Sequence, residues 1–135
     1  MPIVENPEKY IIASTRMAVG LEPEGEDFKI EILMHIKAAL SVLNQNGIGN
    51  ELNTISITDT TTWTDFYDSL QTLPRAVPEL IPMFVYLKTK ILFDPPPPSN
   101  VEFYKIYIEE MLWRLKVAFE YQPIVVNPIV IEEGY

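Results

Sequence analysis

The chain has 135 residues, 47% hydrophobic and 21% charged, which fits one domain whose core needs neither metal nor disulfide to hold together. With no cysteine and one histidine, thiol nucleophiles, disulfide scaffolds, iron–sulfur clusters and cysteine- or histidine-built zinc sites are excluded. Its 19 acidic and 10 basic residues give a formal charge of -9, the wrong sign for gripping nucleic-acid phosphates with basic side chains. No apolar run reaches the roughly 18 residues of a membrane span. The start MPIVENPEKY also lacks the basic and apolar stretches of a signal peptide, so a soluble protein made and kept inside the cell is expected.

Asn6 before Pro7 has the form of an N-cap with proline at the first helical position, which predicts a helix over residues 7–19 stopped by Gly20. Its apolar residues are Ile11, Ile12 and Met17. The acidic stretch LEPEGED follows, and its clustered Glu22, Glu24, Glu26 and Asp27 raise the question of a calcium site. Their spacing does not match an EF-hand loop, and a charged turn before a helix is the simpler reading. Phe28, Ile32, Ile36, Leu40 and Leu43 keep the spacing of one helical face. Asp27 serves this helix as a cap or a first-turn charge, and Gly47 as its stop.

Residues 46–62 are rich in Gly, Asn and Thr, a loop composition in which Ile55 and Ile57 allow a short strand or hairpin edge. Residues 62–70 suit one or two helical turns capped by Thr62 or Thr64, with Trp63, Phe66 and Leu70 facing the core. Pro74, Pro78 and Pro82 punctuate the approach to a largely apolar helix over residues 80–93. Its stripe of Leu80, Phe84, Leu87 and Ile91 predicts the most buried helix of the fold. Pro82 fits in its first turn. The four prolines of DPPPPS then force a rigid bend, which is a better reading than a proline-rich docking ligand for a segment between two helices. Ser99 and Glu102 have capping-box spacing for a last helix reaching about Phe119. Val101, Tyr104, Ile108, Met111, Leu115 and Phe119 form one apolar face of it. Phe103, Tyr107 and Trp113 lie off that face and call for a second neighbour, in this chain or another.

After Tyr121 the pattern changes to two β-branched runs, Ile124, Val125 and Val126, then Ile129, Val130 and Ile131, each preceded by proline. Only two residues separate the runs and one is Pro128, so the segment cannot fold into a tight hairpin on itself. It reads as an extended arm that adds a strand to a partner. The division expected is a helical domain over 1–121 and an arm over 122–135.

Catalytic signatures are missing. No phosphate-binding glycine loop or nucleophile elbow occurs. His35 lacks a partner at motif spacing and reads as structural or surface, with a pH-sensitive contact as the alternative. Glu109–Glu110 and Glu132–Glu133 are sequence neighbours that point apart, so they are solvated charges rather than an acid–base pair. The aromatic residues of the last helix lack the basic groove that base stacking needs. No enzymatic activity and no cofactor are expected.

The string LFDPP at residues 92–96 closes the helix that carries VYLK at 85–88, and LWRL at 112–115 lies in the long helix that follows. Upstream stand HIKAALSVLNQNGIG at 35–49 and TTTW at 60–63. In this order and spacing the chain resembles the head–tail connector proteins of tailed bacteriophages, over roughly residues 10–117. It departs from their pattern in having four prolines after Asp94 and Leu112 before Trp113. The resemblance implies a mainly α fold, a small bundle of four to five helices with a long central loop and an extended C-terminal arm. Leu92, Phe93, Asp94, Pro95, Pro96, Trp113, Arg114 and Leu115 would be its motif residues.

It further implies a virion subunit made in the host cytoplasm. Twelve copies would form a ring under the portal protein, extend the DNA channel and offer a surface to the next neck or tail protein, a stopper or tail terminator. Double-stranded DNA would pass through the lumen without specific binding, and no membrane is involved. On this reading Ile124, Val125, Val126, Ile129, Val130 and Ile131 pair with the portal or a neighbouring subunit. Gly47, Gly49, Asn50, Asn53, Thr54 and Thr58 belong to a polar loop facing the channel or the tail. The alternatives are a tail-completion subunit bound to a stopper or tail tube, a small acidic adaptor domain that makes no ring, and, last, an enzyme with a carboxylate site.

Overall fold

A computed structural model describes residues 5–48, 56–68 and 79–120. Along them run five helices, α1 (Ile11–Ala18), α2 (Lys29–Gln45), α3 (Trp63–Asp68), α4 (Leu80–Phe93) and α5 (Pro98–Glu120). Helix α4 packs against α1, α2 and α5, and α1 also rests on α2. Among the described residues there is no β-sheet, only an antiparallel bridge between Tyr10 and Thr62. No described helix is long and apolar enough to cross a membrane. The mainly helical fold matches the expectation, while the C-terminal arm lies outside the described residues.

Both glycine stops form as anticipated. Gly20 and Gly47 sit at φ +87° and +86°, the left-handed conformation that a Cβ disfavours. Around them Leu21 N–H donates to the Arg16 carbonyl and Gly20 N–H to that of Met17. In the same way Ile48 N–H donates to Leu43 and Gly47 N–H to Asn44. This pairing satisfies the last carbonyls of each helix, and it turns Ile48 into the core, where it is 1% exposed.

The first helix is shorter than expected. Pro7–Lys9 is a 3-10 turn, and Asn6, at φ 54°, makes no side-chain cap. Tyr10 is extended, at φ -98° and ψ 137°, because its backbone meets the threonine segment: Ile11 N–H donates to the Thr61 carbonyl at 3.0 Å. That segment is braced by Thr61, whose Oγ1 accepts from Thr58 N–H at 2.8 Å and donates to the Ser56 carbonyl at 3.2 Å. Thr62 then caps α3 reciprocally with Asp65: the Asp65 amide donates to the threonine hydroxyl at 3.0 Å, and the Thr62 amide to the carboxylate at 2.9 Å. The next residue, Trp63, is buried and its indole N–H donates to Ser14 Oγ at 3.0 Å, so one short segment is stitched to α1 at both backbone and side chain. Ile57 is buried without joining a strand; Ile55 and Leu70 lie outside the described residues.

Arg16 is the largest fully buried side chain among the described residues, at 1% exposure. A guanidinium has five N–H donors and cannot shed its charge, so burial demands acceptors on every side. The acidic turn provides them: Nε donates to the Glu22 carbonyl at 2.6 Å, Nη1 to the Asp27 carbonyl at 2.7 Å and Nη2 to Asp27 Oδ1 at 3.0 Å. The turn closes so tightly that a Cβ on Gly25 would lie 2.5 Å from Nη2. LEPEGED is thus the shell of a buried cation. Asp27 accepts from Arg16 instead of capping α2, and the cap position falls to Phe28 at φ 60°, a left-handed conformation that costs a bulky residue about 1–2 kcal/mol.

The helical faces differ from the spacing in two places. On α2, Ile32, Ile36, Ala39 and Leu43 are buried, whereas Phe28 is 53% exposed and Leu40 only half-buried. On α4 the centre of the buried face is Ile81, Phe84, Val85 and Thr89, with Leu80, Leu87 and Ile91 at its margin. A helix that meets three others buries a wider arc than an amphipathic stripe. Nor is α4 the most buried helix. That is α1, closed over at every position from 11 to 16. Helix α5 begins at Pro98, one residue before the expected cap, because proline at the first position leaves no amide to satisfy.

Two outcomes follow for stability. Arg16→Lys, which loses the fork that reaches both Glu22 and Asp27, should cost about 2–3 kcal/mol in urea unfolding. Gly25→Ala should cost about 1–3 kcal/mol through overpacking, against about 1 kcal/mol for Gly47→Ala, where open space leaves only the backbone penalty. The Thr89 hydroxyl is fully buried with no hydrogen-bond partner among the described residues; Thr89→Val should therefore raise stability by up to about 1 kcal/mol, and a loss of that size would show the hydroxyl to be partnered.

Candidate functional site

Helix α5 makes its main described contact with α4, so among the described residues one side of its 23 residues carries most of its packing. Ile108, Met111 and Leu115 are buried on that side. With 3.6 residues per turn, Ile106 and Trp113 fall on the opposite side and Phe103 on its flank, and they are 59%, 64% and 64% exposed. A row of large apolar groups held in water on a regular helix is the mark of an interaction surface. A second such face lies on α2: Ile30 and Met34, one turn apart, are 76% and 63% exposed and point away from Ile32, Ile36 and Leu43.

Between α4 and α5 runs an open groove of about 410 Å³. Leu80, Met83 and Leu87 form one wall and Tyr104, Tyr107 and Met111 the other, with Glu110 and Arg114 as its charged residues. Its volume and apolar lining suit a few aliphatic side chains. Among the described residues no group of three or more His, Cys, Asp or Glu is placed to hold a metal. In the acidic turn, Asp27 is committed to Arg16 and Glu26 to Lys29, whose Nζ also donates to Asp59 at 3.0 Å. Those hydrogen bonds and charges from Asp59 and Glu26 hold the Lys29 ammonium above its ordinary pKa.

The motif residues have distinct structural tasks. Phe93 is half-buried and sets its ring edge-on to Phe28 at 5.2 Å and to His35 at 6.4 Å, clamping the end of α4 over the start of α2. His35 Nε2 stands 4.0 Å from Glu31 Oε2, one turn earlier on the same helix. Asp94 ends α4: its amide donates to the Lys90 carbonyl at 2.8 Å and its carboxylate accepts from Lys90 Nζ at 3.0 Å. Pro95 and Pro96 carry the chain round to α5, and Leu92 is 60% exposed. Within LWRL, Leu115 is fully buried, Trp113 faces water and Arg114 lines the groove.

Of the loop residues singled out, Gly47 is the stop of α2 and Thr58 belongs to the threonine network. Gly49, Asn50, Asn53 and Thr54 lie outside the described residues, as do all six arm residues. Sequence reasoning did not single out Ile106, Ile30 or Met34, although the first is three residues from Phe103 and seven from Trp113, a helical spacing that would have found it. Arg16 had a weaker signal, a lone cation inside an otherwise apolar and small-residue helix.

The two tryptophans provide a direct check. Trp63 is 6% and Trp113 64% exposed, so acrylamide should quench the fluorescence of the Trp63→Phe variant strongly and that of Trp113→Phe weakly. Trp113→Ala should change stability by no more than about 0.5 kcal/mol, while Trp63→Ala should cost about 3–5 kcal/mol; equal quenching of the two would contradict the arrangement.

Comparison with curated proteins and with solved structures gives no significant match. The model of a protein family described as phage connector protein matches residues 11–122. The match begins at the first residue of α1 and runs past the end of α5, taking in α1 to α5. The chain belongs to the phage connector protein family and so to the structural proteins of the head–tail region of the phage particle.

Proposed function

We propose that the protein is a non-enzymatic subunit of a ring, dodecameric on the portal, that docks beneath the portal protein, extends the DNA channel and presents a surface to the next neck or tail protein. The observation that carries this reading is the uncovered apolar row of Phe103, Ile106 and Trp113 on α5. Closed rings need a head-to-tail interface, in which two different surfaces of each subunit meet. Two are available, the α5 row and the Ile30 and Met34 face of α2. Burying one large apolar side chain is worth about 1.5–3 kcal/mol, so three together drive association once a template sets the geometry. The formal charge of -9 per subunit fits a lumen that repels the DNA backbone and lets it slide. The arm residues Ile124, Val125, Val126, Ile129, Val130 and Ile131 would then engage the portal or a neighbouring subunit.

Native mass spectrometry of the protein mixed with its portal ring tests the proposal. One copy per portal subunit is expected. The double variant Ile106→Glu, Trp113→Glu should lose at least about a hundredfold in assembly, equivalent to about 3 kcal/mol, with an unchanged circular dichroism spectrum. Removal of residues 122–135 should abolish portal association. Assembly with a stopper or tail tube in place of the portal would move the subunit to tail completion, and a protein that remains monomeric with every neck component would leave an adaptor that makes no ring.

A further inference from the structure

The groove between α4 and α5 lies close to the origin of the arm, and lengths decide whether the two can meet. Helix α5 ends at Glu120. At 1.5 Å per residue, Arg114 lies about 9 Å and Tyr104 about 24 Å back along the helix. The chain continues for 15 residues beyond Glu120, and an extended segment advances about 3.3 Å per residue. Reversed over Gln122 and Pro123 and laid along α5, it would draw level with Arg114 near Asn127 and with Tyr104 near Ile131. The stretch that would span the groove on this path is 128–131, PIVI, whose aliphatic side chains match the Leu, Met and Tyr lining.

We propose that in the free subunit the α4–α5 groove is the seat of this chain's own C-terminal arm, with residues 128–131 laid against Met83, Leu87, Tyr107 and Met111. The choice of its own arm over another copy's rests on effective concentration. A segment tethered by a few residues faces its groove at about millimolar concentration, above any dilute solution of subunits. Seating shields an apolar segment that would otherwise offer an unpaired edge to other chains, and assembly would exchange the groove for a stronger partner. The proposal does not depend on the ring, since the seat is a property of the isolated subunit.

The absence of cysteine makes disulfide trapping clean. Met83→Cys, on the groove wall and 47% exposed, is combined in the full-length protein with Ile129→Cys or, separately, Val130→Cys, because adjacent positions of an extended segment point opposite ways. Mild oxidation in dilute solution should join one of the two pairs at least tenfold faster than Met34→Cys combined with the same arm cysteine, where Met34 stands on the outer face of α2. The product should run as a monomer on a non-reducing gel, and peptide mass mapping should identify the bond. Adding Leu87→Glu should slow the reaction at least tenfold while the circular dichroism spectrum is unchanged. A rate equal to the Met34 control, or a product of dimer mass, overturns the proposal. Neither result bears on portal binding, which the native mass measurement reads separately.

Discussion

The buried guanidinium of Arg16 is the constraint on which the N-terminal half of the molecule depends. A permanent charge at 1% exposure survives only if its donors are met, and three of its bonds go to the turn that leads out of α1. Satisfying them fixes the path from Gly20 to Phe28. It brings the Asp27 carbonyl inward, presses Gly25 against the guanidinium and forces Phe28 into a left-handed backbone. The strain at Phe28 is offset locally, because the same residue meets Phe93 from the end of α4. A single cation thus links the exit of α1, the start of α2 and the final turn of α4.

From that anchored half the rest follows by layering. The Schellman turns at Gly20 and Gly47 end α1 and α2 where the chain must reverse, and the threonine segment is sewn back onto α1 through Thr61, Thr62 and Trp63. Helix α4 occupies the centre. Proline-rich chain beyond Asp94 then delivers α5 to the one side of α4 still free, which leaves the outer half of α5 without a described neighbour. The fold is asymmetric: a scaffold held by buried polar contacts at one end presents exposed apolar residues on a long helix at the other.

Local interactions were legible in the sequence because they are decided within a few residues. The helix stops at Gly20 and Gly47, a threonine cap on α3, which the structure narrows from Thr62 or Thr64 to Thr62, the bend after Asp94 and the lengths of α2, α4 and α5 each rest on backbone conformations or hydrogen bonds between near neighbours. The off-stripe aromatics Phe103, Tyr107 and Trp113 are exposed, as their spacing implied, with Tyr107 on the wall of the α4–α5 groove. The break at Tyr10 was not legible, since its cause is a backbone pairing with Thr62, more than fifty residues away. The rotation of the α4 core toward Ile81, Val85 and Thr89 depends on three helices converging, which periodicity on one helix does not encode.

The sequence by itself determined a cysteine-free, acidic, mainly helical chain with its punctuation in place, and the order of its short motifs pointed to the connector family. Only the tertiary structure decided that the acidic turn is the shell of a buried arginine and not a plain surface loop, because the identity of a carboxylate's partner depends on where the chain returns in space. It also decided which apolar residues are core and which are surface. Trp63 and Trp113 are the same residue type, yet one is buried and bonded to α1 and the other faces water. Burial is a property of neighbours, and neighbours distant in sequence are set by packing.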